Sequence, residues 1–153
     1  MRRKRGFVQI AILHLLKEEP MHGYQIMKEL EERSNGAYSA SAGTVYPALQ
    51  ELEDQGLIER DADTQKKVYS IHKNGQKRLD EAKQVEGDFW VEWKERMAWK
   101  NSEEFIQLRT AMERWEKEFR HAVKQTRGNS RGVLELISFI EEMTEQLKKN
   151  SGK

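Results

Sequence analysis

SAGTVYPALQELEDQGLIER, residues 41–60, is the stretch on which the fold turns. Val45, Ala48, Leu49 and Leu52 recur at helical spacing on one face. Gly43 and Pro47 nevertheless stand in its first half, where both residue types weaken a helix. Proline is tolerated in the first turn, where its missing N–H has no partner to lose, so the spacing predicts a regular helix from near Thr44. Ser41 or Thr44 supplies the cap, and Gly56 is the natural stop. At about 100° per residue the opposite face carries Gly43, Tyr46, Pro47, Gln50 and Asp54. That face is small and neutral at its N-terminal end and acidic at its C-terminal end. Such an entrance suits a helix that docks by its tip. The free N–H groups and the helix dipole favour phosphate, Gly43 admits a close backbone, Gln50 matches an adenine edge, and Tyr46 matches a phosphate or a thymine methyl.

The flanking segments supply the context. Before the stretch, residues 7–18 carry Phe7, Ile10, Ala11 and Leu15 on one stripe with Val8, Ile12 and Leu16 beside it, which predicts a buried first helix. Pro20 breaks it. A second helix with Tyr24, Met27 and Leu30 at helical spacing follows and stops at "SNG". After the stretch, "LIER" reads as a strand, "DADTQ" as a turn and "KKVYSI" as the returning strand. Three helices followed by a two-stranded hairpin is the order of a winged helix-turn-helix. Basic residues mark both ends of this region, Arg3 and Lys4 in an arm ahead of the first helix and Lys66 and Lys67 in the wing.

The runs "ILHLLKEEPMHGYQIMKELE" (12–31), "SAGTVYPALQELEDQGLIE" (41–59) and "YSIHKNGQKRL" (69–79) resemble the PadR-like transcriptional regulators. The resemblance covers nearly the whole N-terminal half. It implies a winged-helix DNA-binding domain, a C-terminal helical region that forms a homodimer, and repression relieved by a small molecule. Carried over by position, it assigns recognition to Ser41, Gly43, Thr44, Tyr46, Pro47 and Gln50, and backbone contact to Lys66 and Lys67. Two positions depart from the family pattern. His72 stands where Thr is usual, which puts the cap of the next helix in question and offers Asn74 as a substitute. The wing carries Asp61 and Asp63 where the family often has Gly and Arg.

From Asn74 the chain reads as helical to near its end. Residues 75–100 place Leu79, Ala82, Phe89, Trp93 and Met97 on one seam, and Asn101 with Glu104 forms a potential capping box. Phe105, Leu108, Met112, Trp115, Phe119 and Ala122 then recur in steps of three and four, a coiled-coil-like seam. "TRGNSRG" interrupts it, and Val133, Ile137, Ile140 and Leu147 mark a last helix. The expected organisation is a DNA-binding domain over 1–74, a helical dimerisation region over 75–148 and a disordered tail over 149–153. Phe89, Trp93, Met97, Phe105, Leu108, Met112, Trp115, Ile137 and Ile140 are the expected dimer contacts. Two recognition helices about 34 Å apart would then read a pseudo-palindrome.

All four tryptophans lie between residues 90 and 115. Aromatic residues at helical spacing are more often core than pocket, and Trp93 and Trp115 lie on their seams. Trp90 and Trp99 lie off the main seam and suit a groove between protomers. Some members of the resembled family bind flat aromatic compounds there, which makes Trp90, Trp93 and Trp99 candidate effector contacts.

Composition narrows the alternatives. The 153 residues have no cysteine, excluding disulfides and thiolate metal sites, and the four histidines share no metal-ligand spacing. With 27 Lys+Arg against 26 Asp+Glu, a nucleic-acid surface must be a patch and not a global field. The longest apolar run, "FVQIAILHLL", is too short to span a bilayer, which predicts a cytoplasmic protein without a membrane partner. No P-loop, dinucleotide fingerprint, cofactor motif or converging carboxylate pair appears, so the expectation is a non-enzyme without cofactor. The competing reading is a winged-helix protein adaptor without specific DNA binding, favoured by Glu51, Glu53, Asp54, Asp61 and Asp63.

Overall fold

The computed structural model describes residues 2–61, 65, 67–82 and 88–152, the side chains of residues 2–5 excepted. By internal contacts the chain divides into two units, Met1–Ser102 and Glu103–Lys153.

The first unit is built around α1 (Arg2–Glu18), whose Ala11, Ile12, Leu13 and Leu15 are completely buried. A helix apolar around this much of its circumference belongs inside a core. Because α1 begins at Arg2, Arg3 and Lys4 belong to the helix itself and not to an arm ahead of it. After Pro20 the chain forms β1 (Met21–His22), which pairs antiparallel with β3 (Val68–Ile71), while β3 also pairs with β2 (Ile58–Asp61). The sheet order is β1-β3-β2, with Met21 opposite Tyr69 and Ile58 opposite Ile71. The winged helix therefore has three strands where the sequence pattern predicts two, since a two-residue strand is too short to show alternation.

α2 (Gly23–Glu32) opens with a capping box in which His22 replaces the usual hydroxyl residue. The Gln25 N–H donates to His22 Nδ1 at 3.2 Å, and the His22 N–H donates to Gln25 Oε1 at 3.1 Å. The helix ends in a turn through Asn35 and Gly36, both at positive φ.

α3 (Ala42–Asp54) buries Val45, Ala48, Leu49 and Leu52. It begins ahead of the predicted start near Thr44, so Pro47 stands in its second turn. Proline there leaves the Gly43 carbonyl without its helical donor. Both residues are exposed, so water can take that bond. Ser41 occupies the N-cap position, but its Oγ lies 3.1 Å from Thr44 Oγ1 and caps no backbone N–H. The far end closes as a Schellman motif. Leu57 N–H donates to Leu52 O and Gly56 N–H to Glu53 O, both at 2.9 Å, with Gly56 at φ 67°.

α4 (Lys73–Ala82) follows the wing, and His72 Nδ1 accepts from the Asn74 N–H at 3.2 Å. His72 therefore does the capping, and Asn74 lies inside the first turn. α5 (Phe89–Lys100) starts with its own cap, the Asp88 carboxylate accepting from the Trp90 N–H at 2.9 Å. Trp93 and Met97 of α5 lie in the same core as α1, α2 and α3.

The second unit is a helical hairpin of α6 (Glu103–Gln125) and α7 (Ser130–Ser151). Gly128 at φ 75° makes the turn, and the Asn129 side chain caps α7 by accepting from Gly132 N–H. Neither helix contains a buried residue. α7 runs on to Ser151, through most of the segment expected as a tail. Asn101 forms no capping box for α6. It is the C-cap of α5, and its side chain reaches Ala37 O. Among the described residues no helix is long and apolar enough to cross a membrane.

Candidate nucleic-acid interface

The outward face of α3 follows from its inward one. With four residues committed to the core, Gly43, Thr44, Tyr46, Pro47 and Gln50 are left exposed, as is Ser41 just before the helix. A Cβ added at Gly43 would meet no atom within 4 Å. The space in front of that backbone is open, available to something outside the chain.

Tyr46 leans over the start of α2. A Cβ at Gly23 would come within 2.8 Å of the Tyr46 ring and hydroxyl, so a larger residue there would push this exposed ring aside. Around the crossing lies an open cleft of about 560 Å³, lined by His22, Gly23, Tyr24, Tyr46, Gln65, Lys67 and Tyr69. It joins the start of α2, α3 and the wing in one concave surface. Burial pushes the Tyr69 hydroxyl above its usual range, keeping it neutral at the base of the cleft.

The acidic half of α3 is engaged within the protein. The buried Gln9 donates to Glu51 at 2.7 Å, Glu53 pairs with Arg60 at 3.4 Å, and Gln50 Nε2 donates to Asp54 at 2.9 Å. That last bond uses one of the two N–H groups of the Gln50 amide and leaves the other, with the carbonyl oxygen, for an outside partner.

The sequence-derived set is thus brought together in part. Ser41, Gly43, Thr44, Tyr46, Pro47, Gln50 and Lys67 share the exposed side of α3 and the adjoining wing. Lys66 and Asp63 lie outside the described residues, and of Arg3 and Lys4 only the backbone is described. His22, Gly23, Tyr24 and Tyr69 were not expected at the site. The available signal is a glycine directly after a capping residue, at a place where the Tyr46 ring lies against the backbone.

The expected dimer and effector residues divide between the units. Trp93 is completely buried and Met97 nearly so, with Phe89 packed against the same core. Trp90 is half-buried, with the Arg33 guanidinium 4.4 Å above its ring and its indole N–H donating to Glu18. Trp99 is exposed. Leu108, Met112, Trp115, Ile137 and Ile140 are exposed on the hairpin, and Phe105 is half-buried there.

Comparison with known proteins agrees with this geometry. The transcriptional regulator PadR-like family matches residues 12–81. The transcriptional regulator YqjI of Escherichia coli is 34% identical over 77 residues, 50% of this chain and 37% of that protein. The transcriptional regulator Rv3488 of Mycobacterium tuberculosis is 38% identical over 55 residues, covering 36% of this chain and 49% of the relative. The chain thus spans about half or less of the length of these relatives. A solved transcriptional regulator from Clostridium thermocellum is similar over 54% of this chain and 82% of its own, at 28% identity and a TM-score of 0.50. The match falls on the cleft, α3 and most of the core described above, and over residues 12–81 the chain carries the winged helix of the PadR-like family of transcriptional regulators.

Proposed function

We propose that the chain is a homodimeric, sequence-specific DNA-binding regulator that acts in the cytoplasm as a repressor on a pseudo-palindromic operator. The observation that carries the reading is the division of α3 into a fully buried inner face and an uncovered outer face, open at Gly43 and bordered by the cleft with Lys67. The tip of α3 enters the major groove, with Gly43, Thr44, Tyr46 and Gln50 toward base edges and Ser41 and Lys67 toward phosphate. The N–H groups at its start add a favourable field for the strand they face. The adaptor reading loses ground here. Glu51, Glu53 and Asp54, which favoured it, are occupied within the protein.

Dimerisation falls to the hairpin, none of whose apolar residues is fully buried within the chain. Two copies pairing there hide this surface and present two copies of α3. A small aromatic effector that releases DNA is part of the proposal, with Trp99 as its accessible contact. Titration with a panel of aromatic compounds should change intrinsic tryptophan fluorescence, and an unchanged signal across the panel removes the effector.

The role of α3 is tested with Tyr46→Phe and Tyr46→Ala. Phe keeps the packing over Gly23 and loses only the hydroxyl, whereas Ala loses both. Tyr46→Ala is expected to weaken binding to the specific duplex more than to a random one, with Tyr46→Phe between it and the parent. Equal losses on both duplexes would refute base-edge recognition by this helix. Lys67→Ala is expected to weaken both and reduce the salt slope by about one.

A further inference from the structure

α3 can present its tip correctly only if the connection that delivers it, residues 33–40, is held in place. From the α2 side the hold comes from Ser34, whose buried hydroxyl donates to Glu31 O and accepts from the Tyr38 N–H, both at 2.8 Å. The opposite side is held by α5. The Trp93 indole N–H donates to Leu30 O at 3.2 Å. That carbonyl is available because the Ser34 N–H, its ordinary helical donor, turns to Glu31 O. The Trp93 ring meets Tyr38 edge-on, with centroids 5.1 Å apart. At the end of α5, the Asn101 amide donates to Ala37 O at 2.6 Å. Trp90 adds a fourth contact beneath Arg33, which is itself fixed by Glu18 and Glu29.

These contacts are arranged along the connection. Leu30, Arg33, Ala37 and Tyr38 are touched in turn by Trp93, Trp90, Asn101 and Trp93 again, and Ser41, the N-cap position of α3, lies three residues further on. Asn101 is exposed and could satisfy its amide with water; it reaches the backbone of the connection instead. Recognition through hydrogen bonds tolerates only a few tenths of an ångström. A displacement of Ala37 would be carried through the short segment to Ser41 into the tip of α3.

We infer that α5 serves as a back-stop for the α2–α3 connection, with Trp93 and Asn101 as positioning residues for the proposed recognition helix. The inference rests on the DNA-binding reading above. Neither residue is placed at DNA; both act through the path of residues 37–41.

The test uses the full chain with Asn101→Ala and Asn101→Asp, the latter keeping the shape but offering no donor. Amide exchange at residues 37–41 is measured alongside affinity for the specific duplex and for a random one. Exchange is expected to speed up about fivefold, the size of one lost hydrogen bond. Affinity for the specific duplex should fall by a similar factor while random-duplex affinity stays put and the thermal midpoint falls by only a few degrees. A purely structural role would not move the specific-to-random ratio in this way. Unchanged exchange in Asn101→Ala overturns the back-stop, and faster exchange with an unchanged ratio overturns positioning. If the parent protein prefers no duplex, the DNA reading fails separately. Exchange then decides the inference by itself, and unchanged protection overturns it.

Discussion

Trp93 stacks on Phe7 at 5.3 Å and is wholly buried, whereas Trp115 stacks on Phe119 at 5.1 Å and remains 49% exposed. Both tryptophans sit on apolar seams of helical period, and the difference lies in what faces them. Trp93 meets α1, α2 and the α2–α3 connection inside Met1–Ser102, a unit with a continuous core. In Glu103–Lys153, the facing helices of the hairpin bury no residue. The first unit, the head, carries its own continuous core. The second leaves most of its apolar seam exposed, and a second copy is the cover proposed.

The most drastic way to break this comparison is to charge the hairpin. Leu108→Glu together with Met112→Glu is expected to abolish the dimer while leaving the head folded, read as a halving of the mass by light scattering at micromolar concentration. A parent protein that is already monomeric would overturn the dimer. Next in size, Trp93→Ala should cost about 3–5 kcal/mol in chemical denaturation, the range for truncating a buried aromatic. Leu134→Ala on α7, 67% exposed, should change the stability of the head by less than about 0.5 kcal/mol. Similar losses from the two would mean that the units do not differ as described.

Gly43→Ala sharpens the contrast within the head, between what serves folding and what serves binding. The added Cβ meets nothing in the protein, so the substitution should stabilise the helix by about 0.5–1 kcal/mol and yet weaken specific DNA binding. A variant that is more stable and binds normally would show that no backbone approaches there.

The smallest effect concerns the surface clamp beside α5. Hydrogen bonds and charge from Arg33 hold the Glu18 carboxyl below its usual range against the opposing effect of burial. A depressed folded-state pKa contributes stability that is present above the unfolded value of about 4.3 and lost as pH falls through the folded value. Because the pair is partly exposed and screened, Glu18→Gln should cost less than about 1 kcal/mol at neutral pH. The difference from the parent should shrink in acid, as followed by urea midpoints across pH. A difference that grows on acidification would contradict the pairing.

Much of the head was readable from residue spacing, for definite reasons. The inner face of α3 repeats with helical period, and Gly56 marks its end because a left-handed residue there is nearly always glycine. β1 was not readable, since two residues carry no pattern and its pairing with β3 is a long-range property. α5 shows a subtler limit. The stripe of Phe89, Trp93 and Met97 tells that a face is covered but not by what, and the same period fits a helix of the same unit or one from another copy. Local rules favour neighbours and make Asn101 a cap for the helix after it, whereas its partner Ala37 is distant in sequence. At the candidate interface, the exposed residues of α3 followed from geometry. The contribution of Gly23 depends on a crossing that only the folded chain reveals.

The most direct test of the whole account is binding of the purified chain to the DNA upstream of its own gene, against a random duplex, across a salt series. The account predicts tighter binding to the upstream DNA, with a preference that persists as salt weakens the random complex. Equal affinities that fall together with salt would contradict it, leaving a basic patch without a reading helix.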